Sequence, residues 1–208
     1  MITISLCLIV KDEQETLGRC LASVSDLVDE IIIVDTGSTD DTKDIARNYT
    51  EQIYDFTWID DFSAARNYAF AQASKEYIFW SDADDVLQER DRLVKRSNGF
   101  RWIGDAHEYL EVNGNIMNSD IAVTHSGLHH DSNRNLYIYE QRLSAGETFS
   151  PRDLYYFANE LLDHKRYERA ILFMSSFSGQ SKAGLRITSR HAANWPMVTM
   201  GWAKNKKA

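Results

Sequence analysis

From Ile2 to Leu87 the chain alternates between apolar runs and segments with a helical stripe. Ile2–Val10 (ITISLCLIV) is a near-continuous apolar run, the pattern of a strand covered on both faces. Beyond KDEQ, the residues Leu17, Cys20, Leu21 and Val24 recur at i, i+3, i+4 and i+7 and predict a helix. Glu30–Asp35 (EIIIVD) reads as a second buried strand. In the following TGSTDDT, Ser38 and Asp41 have capping-box spacing, and Ile45, Ala46 and Tyr49 continue a helical face. QIYDF reads as a short third strand, Phe62–Ala73 as a helix and YIFWS as the next strand. Strand and helix in strict alternation predict an α/β fold, with a parallel sheet and helices on both faces.

In such sheets ligands bind beyond the carboxyl ends of the strands. Lys11, Asp12 and Glu13 follow the first strand, Asp35 and Gly37 the second, and Asp82, Asp84 and Asp85 follow Tyr77–Ser81. Residues distant in sequence should therefore converge on one sheet edge, with the three aspartates displayed there and not buried. Two carboxylates spaced Asp-x-Asp on an extended segment point the same way. Such a pair of hard oxygen donors suits Mg2+ or Mn2+, although an Asp-rich turn can also merely cap or solvate a loop. Its place after a buried strand, opposite VDTGSTD, favours the metal.

The ordered segments SLCLIVKDEQETLGRCLASV, EIIIVDTGSTDDT, ARN and FWSDADDVL resemble the family 2 glycosyltransferases. The resemblance runs without a gap from Met1 to about Leu87. It implies a GT-A fold and transfer of a sugar from a nucleotide-sugar, usually uridine-linked, to an acceptor hydroxyl, mostly with inversion. By position, Asp12 or Glu13 and Asp35, with Gly37, resemble residues around uracil and ribose. Asp82 resembles the carboxylate nearest the ribose, Asp84 the metal ligand, and Arg66 and Asn67 the ARN pair lining the donor pocket. Thr36 departs from the second aspartate that the family often has there.

An inverting transfer needs a base opposite the leaving group. In RWIGDAHEYL, Glu108 is the candidate, with His107 beside it; the alternative is a solvated surface strand. The resemblance to a bacterial branch with W-x-G-x-x-H-E supports the base. The resemblance also implies a histidine after a late strand as third metal ligand, which makes His125, ending IAVTH, the candidate, with His129 and His130 as competitors. The alternative for His125 is a structural or exposed role, and an adjacent histidine pair is by itself a weak signal.

Residues 1–145 are thus expected to form the catalytic domain. Residues 150–178 (Leu154, Tyr155, Ala158, Leu161 and Leu162, then Tyr167, Ala170, Ile171 and Met174) read as a tetratricopeptide-like helical hairpin. The hairpin's aromatic stripe is expected to be core, although a protein partner could dock on the repeat. The segment QERDRLVKR joins the D-x-D region to RWIG with fewer residues than the family uses, so the chain is shortened near 88–92. The tail 179–208 has no helical stripe. With permitted codons a shifted frame from Gly184 can encode a repeat helix, which points to a frameshift near Ser181.

The formal net charge of −8 over 208 residues argues against a nucleic-acid surface. Two cysteines at apolar positions, Cys7 and Cys20, read as buried thiols of a reducing compartment. With no membrane-length apolar run and no basic n-region, a soluble cytoplasmic protein is expected. The acceptor class spans glycans, lipid-linked sugars and peptides, with modification of a secreted peptide's Cys or Ser as the runner-up activity. A non-catalytic or hydrolysis-only remnant that binds a nucleotide-sugar is the alternative from another class. A nucleotidyltransferase is disfavoured, because KDEQE is not a glycine-rich basic phosphate loop.

Overall fold

In the computed structural model, which describes residues 2–87, 93–112, 114, 123–125 and 133–180, the two first apolar runs become neighbouring parallel strands. These are β1 (Ile4–Val10) and β2 (Glu30–Asp35), with α1 (Leu17–Val24) between them. Then follow α2 (Thr42–Arg47), β3 (Ile53–Asp55), α3 (Phe62–Gln72) and β4 (Tyr77–Trp80). The shorter strands are β5 (Asp85–Leu87), β6 (Leu93–Lys95), β7 (Arg101–Ile103), β8 (Tyr109–Glu111) and β9 (Val123–His125). Helices α4 (Arg134–Ser144), α5 (Pro151–Asp163) and α6 (Tyr167–Gln180) complete the order.

The main sheet runs β3-β2-β1-β4-β6, parallel except for the antiparallel edge strand β6. Its alternating side chains feed two separate cores. Leu6, Leu8, Val10, Ile31 and Ile33 meet α1 and Ala46 of α2 on one face. Cys7, Ile32, Val34 and Ile78 meet Ala69 and Ala73 at the α3 end on the other. The small residues Ser63, Ala65 and Ala69 are the buried stripe of α3, which lets that helix sit close to the strands. Both cysteines are buried and free, as their pattern predicts.

The capping box predicted from Ser38 and Asp41 does not form. Asp41 caps α2 without a side-chain bond, because the Ser38 hydroxyl accepts the N–H of Asp12 at 2.9 Å instead. Helix α4 was not foreseen. Its buried residues, Leu136, Ile138 and Tyr139, are too closely spaced to form a clean stripe.

Glu30 ties the amino-terminal end of the sheet together. It accepts the Ser5 hydroxyl of β1, and the Ser74 N–H and hydroxyl, each at 2.8 Å. Burial pushes its carboxyl up, and these hydrogen bonds outweigh burial, so it titrates below its ordinary value. A depressed folded pKa stabilises the fold above the unfolded pKa, and that contribution is lost as pH falls through the folded value. Glu30→Gln is therefore expected to lower stability at neutral pH and flatten its decline below about pH 4.3. Urea midpoints measured across that range check this.

The chain divides into two units, Met1–Glu147 and Thr148–Ala208. In the second, a full capping box between Ser150 and Asp153, with Pro151 in the first turn, starts α5. Leu154, Phe157, Ala158 and Leu161 of α5 are buried, as are Ala170 and Phe177 of α6, and Phe157 packs on Phe173 at 4.5 Å. Helices α5 and α6 pack on each other, but the buried side of α6 differs from the expected stripe. Tyr167 and Ile171 are exposed, because the aromatic contacts turn Phe173 and Phe177 inward instead. The junction 88–92, His129, His130 and the tail from Ser181 onward lie outside the described residues. Among the described residues no helix is long and apolar enough to cross a membrane.

Candidate functional site

The loops after β1, β2 and β4 enclose a cleft of about 760 Å³ at the carboxyl ends of the strands. Lys11, Asp12, Glu13, Thr36, Asp82, Asp84 and Glu108 all line it. Side-chain bonds zip the first two loops into one wall. The Asp12 carboxylate accepts the Thr39 N–H at 2.7 Å, and the Glu13 N–H donates to the Thr42 hydroxyl at 2.7 Å. Asp40 accepts from the N–H groups of Thr42 at 3.0 Å and Gln14 at 3.2 Å.

Asp35 sits lower than its sequence position suggests. It is 1% exposed and accepts the N–H groups of Gly37 and Ser38, each at 3.1 Å. Gly37 makes this possible at φ +109°, a conformation that other residues rarely adopt. Lys43 Nζ stands 3.4 Å from the same carboxylate. Asp35 and Gly37 therefore shape the wall from behind, and Thr36 faces the cleft between them.

The D-x-D turn divides its aspartates by position. Asp82 and Asp84 line the cleft, as predicted, but the expectation that Asp85 is displayed fails. Asp85 is 1% exposed and accepts the Asp82 N–H at 2.8 Å and the Ser81 hydroxyl at 3.2 Å. The turn's own polar hydrogens need an acceptor, and the third aspartate supplies it. Across the cleft, Glu13 titrates above its ordinary value. Burial raises it most, the Thr16 hydroxyl lowers it, and Asp84, Asp82 and Asp40 raise it further.

Arg66 is buried between the rings of Trp102 and Trp80, at 4.6 and 5.4 Å from the two centroids. It donates to Asp82 at 2.6 Å and to Glu108 at 2.7 Å. Burial works against its charge, and the two carboxylates more than offset that. Asn67 is given another task than lining the donor pocket. Its amide donates to the Trp102 carbonyl at 3.0 Å and accepts the Trp102 N–H at 2.9 Å, pinning β7 onto α3 away from the cleft.

His107 and Glu108 lie in the turn of the β7–β8 hairpin, not on a solvated strand. His107 adopts φ +52° and stacks at 21° against Tyr139 of α4, centroids 6.4 Å apart. Both line the cleft, and the Glu108 side chain is 14% exposed. The backbone of β9 pairs with β5 so that His125 stands opposite Asp85.

Sequence reading missed the other end of this cleft, lined by Trp58, Phe62, Arg134 and Asn135. Trp58 packs on Phe62 at 4.8 Å, and the Arg134 guanidinium lies 4.4 Å from the Phe62 ring centroid. The available signal was the pair of aromatics flanking the Asp60–Asp61 cap of α3.

Residues 5–98 match the family model described as Glycosyl transferase family 2. A TPR repeat-containing protein of Synechococcus elongatus is 53% identical over 87 residues, 42% of this chain and 22% of that protein. The SPbeta prophage-derived glycosyltransferase SunS of Bacillus subtilis is 38% identical over 92 residues, 43% of this chain and again 22% of the relative. The match thus spans about a fifth of the length of either curated relative. Glucosyl-3-phosphoglycerate synthase from Mycobacterium tuberculosis, solved with Mn2+ and UDP-glucose, is similar with a TM-score of 0.37. It is 27% identical over 41% of this chain and 34% of that one.

Proposed function

Because residues 5–98 match the family model for glycosyl transferase family 2, we propose that this chain takes a sugar from a nucleotide-sugar, uridine-linked in the first instance, and transfers it to an acceptor hydroxyl with inversion. The observation that carries this reading is the convergence of Asp12, Glu13, Asp82, Asp84 and Glu108 on one cleft. The nucleoside is assigned to the wall of Asp12, Glu13 and Thr36, which Asp35 and Gly37 hold in shape. Asp82 is assigned to the ribose and the metal, and Arg66 fixes its orientation.

The donor set fits a divalent cation, Mn2+ or Mg2+. Glu13, Asp40, Asp82 and Asp84 line the same cleft; burial raises the Glu13 carboxyl most, and the charges of the other three raise it further, a repulsion that a cation relieves. Asp84 and Asp82 would hold the ion, with His125 as the third candidate. Among the described residues no three such side chains converge into a complete metal site, so water and donor phosphates would fill the shell. Such an ion supplies charge neutralisation to a departing nucleoside diphosphate.

Glu108 is assigned the acceptor's proton, with His107 held beside it by Tyr139. A glycan, lipid-linked sugar or peptide suits this chemistry, and the α5–α6 hairpin is the surface offered to a protein partner.

The test is thermal stabilisation and hydrolysis of uridine-, guanosine- and thymidine-linked sugars by the whole chain, with and without Mn2+. Stabilisation by a uridine nucleotide that requires the metal is expected; indifference to all three donor classes overturns the reading. The same assay is expected to show slow transfer or hydrolysis alone, since misplacement of about 1 Å costs on the order of a hundredfold. Inserting family-like residues between Leu87 and Arg92 should then raise transfer more than donor affinity.

A further inference from the structure

One buried cation serves two carboxylates that the transferase reading assigns to different halves of the reaction. Arg66 donates from Nη2 to Asp82 Oδ1 and from Nε to Glu108 Oε1, at 2.6 and 2.7 Å. Its side chain is 9% exposed, against 33% for Asp82 and 14% for Glu108. The rings of Trp80 and Trp102 leave the guanidinium little room to turn elsewhere. Asp82 and Glu108 come from segments far apart in the chain, the turn after β4 and the β7–β8 hairpin. Asn67, the next residue along α3, clamps that same hairpin through the backbone of Trp102.

We propose that Arg66 is a positioning residue that couples the donor side of the cleft to the acceptor side, by sharing one guanidinium between Asp82 and Glu108. The proposal rests on the transferase reading and goes beyond lining a donor pocket. The planar fork gives each carboxylate its own N–H at a fixed angle, which an ammonium cannot reproduce. Because both bonds are charge-assisted and their shared donor is buried, they aim the Glu108 oxygen and at the same time withdraw charge from Asp82.

This sharing makes the two sides respond with opposite sign when Arg66 is removed. Asp82, without the guanidinium's positive charge beside it, offers more negative charge to a divalent cation. Glu108 loses its aim and gains a like-charged neighbour. A residue that only braced the fold would lower both properties together.

The experiment uses the whole chain with two probes. Calorimetry reads the affinity for UDP in the presence of Mn2+, and a coupled assay reads hydrolysis of UDP-glucose and UDP-N-acetylglucosamine. Arg66→Met is expected to lower kcat for hydrolysis about tenfold, with UDP–Mn2+ affinity unchanged or higher. Arg66→Lys should shift both in the same directions. Glu108→Gln should lower kcat alone, and adding Arg66→Met to it should cost little more, because groups acting as one unit are not additive. Should Arg66→Met fail to fold, Arg66→Lys and Glu108→Gln carry the comparison.

Parallel loss of UDP–Mn2+ affinity and kcat in folded Arg66 variants overturns the proposal, as do additive losses in the double variant. If the unaltered chain binds UDP and turns over donor while the variants behave so, the coupling alone fails. If the unaltered chain neither binds UDP nor hydrolyses either sugar nucleotide, the transferase reading fails and takes the coupling with it.

Discussion

Asp84→Ala is expected to abolish Mn2+-dependent binding of UDP while leaving the melting temperature of the ligand-free chain unchanged or slightly raised. The D-x-D turn is tied by Asp85, which takes the Asp82 N–H and the Ser81 hydroxyl. Asp84 itself is only partly buried and lines the cleft, so its removal opens no core cavity. It is also one of the charges that hold Glu13 above its ordinary value, and its loss eases that repulsion. On the ligand side the effect should be far larger. Residues that merely support a metal ligand change affinity by about 10–100-fold, so loss of a ligand should exceed about a hundredfold. Calorimetry of UDP with and without Mn2+ measures it. Retained metal-dependent binding in the variant would remove Asp84 from the site.

Asp35→Ala should act on the fold as much as on the nucleotide. The carboxylate is buried and serves the N–H groups of Gly37 and Ser38, with Lys43 beside it. Alanine leaves those donors without their acceptor, at a cost of about 2–4 kcal/mol. The wall that carries Thr36 then loses its shape, and UDP affinity should fall with it. Asp35→Asn, which keeps an acceptor oxygen, should recover part of both. Urea denaturation and calorimetry on the same samples separate the two effects. Unchanged stability in Asp35→Ala would mean that the turn holds without its central acceptor.

The strands and the convergence of their carboxyl ends were legible because each buried strand is one apolar run, read without reference to its neighbours. The α/β reading with a mostly parallel sheet therefore holds from Ile4 to Trp80. What failed depended on a partner remote in sequence. Nothing in DADD says that its third aspartate points inward; that follows from the hydrogens of Ser81 and Asp82 needing an acceptor. Asn67 could not be read as a clamp before β7 was known to lie beside α3. Ser38 was lost to its capping box because the Asp12 N–H reached it first. Helix α4, which brings Arg134 and Asn135 to the cleft, hides its stripe by burying the adjacent pair Ile138 and Tyr139.

The place of β1 at the centre of the sheet has a consequence for motion. Its ladder is closed on both sides, by β2 and by β4, and both of its faces are covered. No local fraying can expose its amide hydrogens, so those of Leu6, Cys7 and Leu8 should exchange with solvent deuterium only when the whole unit opens. The amides of β3 and β6, each bonded along one edge, should exchange through smaller and cheaper openings. The carboxylate wall of the cleft is thus anchored to the slowest-exchanging strand of the unit, while its rim is free to breathe.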